Sequence, residues 1–173
     1  MDKYIPKMYK KSILDINYDT LKEKNIKCLM FDLDNTTLKV HKSIPKKEIC
    51  DLIKKLKINF KVFIISNNTS KKRLSVAADC FGVEYVRFAL KPFSRGFRKV
   101  KNKYNFSKDE MCIIGDQIMT DVLGGNRYGI YTVLVDPLSN DELKVTGFNR
   151  FFENRKLKVL AKRGLFKKGE YYG

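Results

Sequence analysis

The chain reads as a doubly wound α/β protein on a mainly parallel sheet of five strands, and two observations carry that expectation. Its strongest apolar runs are short, continuous and rich in β-branched residues, as in strands buried on both faces. Between them apolar residues recur with helical spacing, so strands and helices alternate. Residues 28–33 form the first run, and residues 60–65, with Val62-Phe63-Ile64-Ile65, the second. Residues 84–88 are a weaker candidate, followed by 111–114 and 130–135. After Pro45, which suits a helix start, Ile49, Leu52, Ile53 and Leu56 fall at i, i+3, i+4 and i+7. Leu74, Ala77, Ala78 and Phe81 make a second stripe, which Gly82 is placed to close as a C-cap. Phe93, Phe97, Val100 and Tyr104 make a third after Pro92. Such alternation folds through right-handed crossovers into one open sheet with helices on both faces.

Length and composition fit a single domain over residues 1–173, with its core at 28–135. A chain of 173 residues can bury a core without staples, and 43% hydrophobic with 12% aromatic residues excludes general disorder. Lys and Arg number 36 against 19 Asp and Glu. The resulting charge of +17 points to polyanionic partners: nucleic acid, an anionic membrane face or phosphorylated compounds. Residues 1–27 and 147–173 are expected as terminal helices packed on the core with basic outer faces. The latter segment holds eight basic and two acidic residues, interleaved with Phe148, Phe151, Phe152, Leu157, Leu160, Leu165 and Phe166. That pattern also suits peripheral contact with anionic lipid. Cys28, Cys50, Cys80 and Cys112 form no CxxC pair and sit beside apolar residues, as reduced core thiols do. No apolar run approaches the ~20 residues that span a bilayer, and residues 1–11 lack the apolar stretch of a signal peptide. A cytoplasmic protein is expected.

In an open sheet ligands bind beyond the carboxyl ends of the strands, and here the strands end in conspicuous polar residues. The first leads into Asp32-Leu33-Asp34-Asn35-Thr36, whose two carboxylates at i and i+2 face the same way. The second ends at Ser66-Asn67-Asn68, Lys91-Pro92 follows the third, and the fourth gives Gly115-Asp116 with Asp121 five residues on. Carboxylates gathered at one end of a sheet repel and raise one another's pKa unless a cation sits among them. An all-oxygen donor set without His or Cys selects Mg²⁺. Such a cation neutralises a phosphate so that an anionic nucleophile can approach it, while a hydroxyl and an ammonium hold the equatorial oxygens. The constellation is one for phosphoryl transfer.

These residues resemble the four motifs of the haloacid-dehalogenase superfamily, over about residues 28–135. The resemblance implies Asp32 as nucleophile, forming an aspartyl-phosphate, and Asp34 as the acid that protonates the leaving alkoxide and then activates water. It implies that Ser66 binds the phosphoryl group and that Lys91 orients Asp32. Asp116, the Asp32 carboxylate and the Asp34 main-chain carbonyl would hold Mg²⁺, with Asp121 acting directly or through water. A carboxylate at position 34 favours a phosphatase over the superfamily's ion pumps and dehalogenases. Only 33 residues separate Asp32 from Ser66, and 24 separate Ser66 from Lys91, which leaves no room for a cap domain and predicts an open site. Ser66-Asn67-Asn68, Lys91-Pro92-Phe93, residues 115–126 and Phe148-Asn149-Arg150 are similar to the YqeG-type subgroup, itself similar to mitochondrial phosphatidylglycerophosphate phosphatases. That likeness implies a lipid phosphomonoester, phosphatidylglycerophosphate, as substrate and an anionic head group as partner. Residues 87–103 agree, with seven Lys and Arg, no acid and three Phe.

Smaller signals are assigned more plainly. Thr36 is expected to assist phosphate binding and Thr37 to be structural, while Asn67 and Asn68 are expected either to touch the phosphate or to cap the next helix. His41 is expected in a surface loop, and Gly124 and Gly125 as packing glycines. The alternatives are a phosphatase of soluble metabolites, proteins or nucleic-acid ends, and a non-catalytic basic nucleic-acid-binding module. The last lacks an aromatic RNA-stacking motif or helix-turn-helix signal.

Overall fold

The computed structural model describes residues 3–139 and 147–173, with the main chain alone for 147–152. The sheet has six parallel strands in the order β1-β6-β5-β2-β3-β4. They are β1 (Met8–Lys10), β2 (Cys28–Phe31), β3 (Lys61–Ile65), β4 (Glu84–Val86), β5 (Met111–Gly115) and β6 (Tyr131–Val135). Helices α1 (Tyr18–Glu23), α2 (Lys47–Leu56), α3 (Lys71–Phe81), α4 (Arg95–Tyr104), α5 (Leu123–Tyr128) and α6 (Gly147–Lys162) connect or follow them. Strand periodicity divides the core in two. Leu29, Phe31, Val62, Ile64, Cys112 and Ile114 face one side, where Ile49 and Ile53 of α2 and Leu74, Ala77 and Phe81 of α3 pack. Met30, Phe63, Ile65 and Ile113 face the other, against Phe97 and Val100 of α4. The central strands are therefore apolar at every position, and that is why their runs are continuous rather than alternating.

The five expected strands are present; four are trimmed at their ends, and the one expected at 111–114 runs on to Gly115. Gly82 closes α3 in the left-handed conformation at φ 63°, which a side chain would resist. Two corrections follow. Phe93 does not belong to the third helical stripe: α4 starts at Arg95, and Phe93 sits in the preceding turn, 69% exposed, its N–H donating to Leu90 O at 2.7 Å. The amino-terminal segment is not simply helical, since Met8–Lys10 adds a sixth strand beside β6. Its outer edge is covered by Tyr172, which exchanges two main-chain hydrogen bonds of 2.9 Å with Tyr9. A paired edge of this kind is closed to further strands.

The termini meet on that edge. Tyr9, Leu160 and Phe166 are buried with Ile118, Val122 and Leu134, whereas Leu165 is exposed. The Tyr9 hydroxyl donates to Asp136 at 2.5 Å, and Tyr171 donates to the other oxygen of that carboxylate at 2.6 Å. Asn126 binds the main-chain oxygens of Lys3 and Ile5, so the Asn that follows the glycine pair anchors the incoming chain. The side chains of Phe148, Asn149, Arg150, Phe151 and Phe152 lie outside the described residues. Among the described residues no helix is long and apolar enough to cross a membrane. All four cysteines are free thiols, and burial pushes Cys28 up to about 12.

At the amino end of the sheet, three cations are paired with acids. Lys27 meets Glu110 at 2.5 Å, and Glu84 is ringed by Lys61, Lys103 and the Tyr104 hydroxyl. Hydrogen bonds from Lys103 and Tyr104 pull the Glu84 carboxyl down to about 2. Its folded value is thus below its unfolded one, so its contribution is present at neutral pH and lost as pH falls through about 4.5 towards 2. Replacing Glu84 by Gln should lower the urea midpoint slightly at pH 7, by less than about 1 kcal/mol because the group is part-exposed. The difference from the parent should vanish in titrations carried to acid.

Candidate functional site

Each predicted site residue lies at the carboxyl end of its strand or in the loop that follows. Asp32 extends the β2–β5 ladder by one bond, its N–H donating to Ile114 O at 2.9 Å, and the chain then turns sharply away. The turn is closed by Asn35, at φ 61°, and by the Thr37 hydroxyl, which donates to Asp32 O at 3.0 Å. Thr37 is structural, as expected. Asp116 directly follows β5, and a π-helical turn at Ile118–Val122 carries Asp121 back over the strand end. One carboxylate oxygen from each of Asp32, Asp116 and Asp121 lies within 4.8 Å of the others, and all three residues are buried.

Gly115 makes that approach possible. A Cβ there would sit 2.2 Å from Asp121 Cγ. Gly115→Ala should therefore displace the Asp121 carboxylate and cost about 1–3 kcal/mol, as overpacking of a tight site does. Thermal unfolding together with divalent-cation titration checks both effects. Gly124 and Gly125 are packing glycines: added Cβ atoms would come 3.0 Å from Pro92 Cα and 2.5 Å from Thr132 Cγ2.

Lys91 is the countercharge. Its ammonium donates to Asp32 Oδ1 at 2.5 Å, Asp121 Oδ1 at 2.6 Å and Ile65 O at 3.1 Å. Burial opposes that charge, but the carboxylates of Asp121 and Asp32 outweigh it and hold the amine protonated. Burial drives the Asp32 carboxyl well above the ordinary carboxylate range. Lys91 counters this, while Asp121, Asp116 and Asp34 add to it. One lysine against three carboxylates leaves a formal charge of −2 in a buried space.

Other residues hold this frame. Asn67 clamps the Lys91 main chain with two reciprocal 2.8 Å hydrogen bonds, so its side chain positions the lysine. Ser66 is buried, and its hydroxyl oxygen accepts from Asn68 N–H at 3.0 Å, leaving its own proton for an incoming acceptor. The Thr36 hydroxyl donates to Asp116 at 3.4 Å. Asp34 stands apart from the acidic trio: its carboxylate is held by Arg73 and by Asn68 Nδ2 at 3.1 Å. Its side chain is therefore not a fourth carboxylate of the cluster. His41 is exposed in the following loop.

Sequence reasoning missed Arg73. Besides pairing with Asp34, its guanidinium donates to Lys42 O at 2.9 Å and Lys39 O at 2.8 Å, strapping the loop that follows Asp32 to α3. A signal was present in Lys71-Lys72-Arg73, because cations in a first helical turn oppose the helix dipole and call for a partner.

Comparison with known proteins follows the same lines. Residues 89–141 match the family model described as HAD-hydrolase-like. The probable phosphatase YqeG of Bacillus subtilis (strain 168) is 33% identical over 162 residues, covering 93% of this chain and 94% of that one. A phosphatidylglycerophosphate phosphatase 1 of Arabidopsis thaliana, chloroplastic and mitochondrial, is 26% identical over 148 residues, or 80% of this chain; the match spans 42% of that longer protein. Among solved structures, a hypothetical protein from Xanthomonas campestris superposes with a TM-score of 0.55 at 12% identity, covering 90% of this chain and 93% of its own. A cobalt-bound deoxy-D-mannose-octulosonate 8-phosphate phosphatase from Haemophilus influenzae gives 0.50 at 16% identity, covering 84% and 95%. Both share the fold.

Proposed function

The chain belongs to the YqeG family of haloacid-dehalogenase-like phosphatases, and from that premise we propose that it hydrolyses a phospholipid monoester, phosphatidylglycerophosphate, through an aspartyl-phosphate on Asp32. The observation that carries the chemistry is the buried quartet of Asp32, Asp116, Asp121 and Lys91, whose formal charge of −2 matches a divalent cation. Its donors are oxygens throughout, and the two buried thiols belong to the sheet core, so the set fits Mg²⁺. Asp32 and Asp116 would hold the ion, with the Asp34 carbonyl and Asp121 completing or supporting the set. When bound, the ion supplies charge neutralisation of the phosphoryl oxygens.

The chain's own residues divide the remaining work. Asp32 attacks phosphorus, and the bond to the leaving glycerol oxygen breaks as that oxygen takes a proton from Asp34. Water then attacks the acyl phosphate and gives its proton to Asp34, and inorganic phosphate leaves with Asp32 restored. Ser66 donates to a phosphoryl oxygen, and Lys91 fixes the Asp32 carboxylate. Arg73 and Asn68 hold the Asp34 carboxylate outside the acidic trio, so its part in proton transfer requires release from Arg73.

The lipid substrate is supported by the name of the Arabidopsis relative, by the absence of room for a cap, and by the surplus of cations. Enclosure by a cap would exclude a head group embedded in a bilayer, and an open site admits one. The protein would work from the cytoplasm on the membrane face. Phosphate release from phosphatidylglycerophosphate in mixed micelles should exceed release from a soluble aryl phosphate in kcat/KM. Chelation of divalent cations should reduce turnover roughly 10³-fold, with recovery on adding Mg²⁺. A soluble phosphate ester turned over faster than the lipid would refute the substrate assignment, and turnover untouched by chelation would refute the metal.

A further inference from the structure

The carboxyl end of the sheet carries three loops of a single electrostatic sign. Residues 38–47 hold Lys39, Lys42, Lys46 and Lys47; residues 67–73 hold Lys71, Lys72 and Arg73; residues 86–95 hold Arg87, Lys91 and Arg95. None of the three contains Asp or Glu. Each follows a parallel strand and leads into a helix, so the topology sets all three around the rim of the site. Lys91 is buried and Arg73 is paired with Asp34, while Glu48, just beyond the first loop, meets Lys46 at 3.3 Å. The other cations stand in contrast to the opposite end of the sheet, where Lys27, Lys61 and Lys103 have acidic partners.

Large apolar side chains project from the same rim. Phe88, Leu90 and Phe93 are 45%, 43% and 69% exposed, and Ile44, on the loop that follows β2 two strands away, is 73% exposed. The backbone turns two of them outward. Phe88 and Leu90 both adopt left-handed φ, 51° and 54°, a conformation that bulky residues resist and that Gly or Asn adopts readily. Between them Ala89 is fully buried; its N–H donates to Ser66 O at 3.1 Å and its carbonyl accepts from Gly96 N–H at 3.1 Å. Folding explains the inward Ala89, but it would be served better by small polar residues at 88 and 90.

We propose that this rim is a membrane-docking face. Phe88, Leu90, Phe93 and Ile44 enter the boundary between head groups and acyl chains of an anionic bilayer, and the ring of cations meets the lipid phosphates. The inference rests on the lipid phosphomonoester reading and deepens it, since docking there brings the acidic trio over the head groups. A nucleic acid is the poorer fit, because Ile44 and Leu90 offer no π-face for a base.

The test uses the full chain and vesicles of equimolar phosphatidylglycerol and phosphatidylcholine. The protein has no Trp, so Phe93→Trp places one reporter on the loop. Its emission should shift to the blue on these vesicles, and brominated acyl chains should quench it. The triple variant Phe88→Asn, Leu90→Asn, Phe93→Ser should bind the vesicles about a hundredfold more weakly, while its turnover of a soluble aryl phosphate stays that of the parent. An unmoved emission maximum, a triple variant that binds like the parent, or binding to RNA without binding to vesicles would overturn the docking face. Loop-dependent vesicle binding without hydrolysis of any lipid phosphomonoester would uphold the face and remove the substrate reading. Hydrolysis in detergent with loop-independent vesicle binding would do the reverse.

Discussion

Replacement of Asp32 by Asn should lower kcat by about 10⁴-fold or more while leaving the fold intact. The amide preserves shape, and the main-chain bond to Ile114 does not involve the side chain. On the proposed mechanism it removes the attacking oxygen, so single-turnover experiments should show no acyl phosphate and no burst of leaving group. Stability should move the other way. Burial makes an ionised Asp32 costly, and the neighbouring Asp121, Asp116 and Asp34 add to the cost against the opposing pull of Lys91. Its folded pKa lies above its unfolded one, so in the absence of metal its ionisation weakens the fold as pH rises through the folded value. The neutral Asn is spared that loss. In chelator the variant's Tm should equal or exceed the parent's, with the gap widening as pH rises; with Mg²⁺ the parent should gain more, because the variant's site has lost one negative charge. A variant that turns over at more than a few per cent of the parent's rate would show that another group is the nucleophile.

The parts of this molecule that were legible in its sequence are those fixed by burial. The four clear apolar runs became β2, β3, β5 and β6 because a strand covered on both faces must be apolar throughout. The polar residues that end them had to fall at one end of the sheet, and that gathered Asp32, Ser66 and Asp116, to which the loop after β4 adds Lys91. What escaped depends on partners remote in the chain. Met8–Lys10 is too short to carry a period, and it is a strand only because β6 and Tyr172 supply its hydrogen bonds. Asn67 looks like a phosphate ligand until Lys91 is seen folded against it. Arg73 reads as one more cation of a basic helix, and its meaning comes from Asp34, which lies 39 residues earlier in the chain.

The second large effect belongs to Lys91. Changing it to Met keeps the length of the side chain and removes the only cation that the described contacts place between Asp32 and Asp121. Two buried carboxylates then face each other with Asp116 close by, and breaking a buried pair from one side costs about 3–5 kcal/mol. In chelator, Lys91→Met should therefore be strongly destabilised. Adding Asp32→Asn to it should recover part of the loss, since the double variant has one buried charge fewer. A divalent cation should act in the same direction, and more strongly on Lys91→Met than on the parent, because three carboxylates without a lysine present a charge of −3. Catalysis should follow none of these recoveries. Neither the metal nor the second substitution restores a carboxylate held in line for attack, so turnover should stay near that of Asp32→Asn even where Tm has returned. If Lys91→Met melts with the parent in chelator, the lysine is not neutralising the carboxylates, and the charge argument for a divalent ion loses its footing.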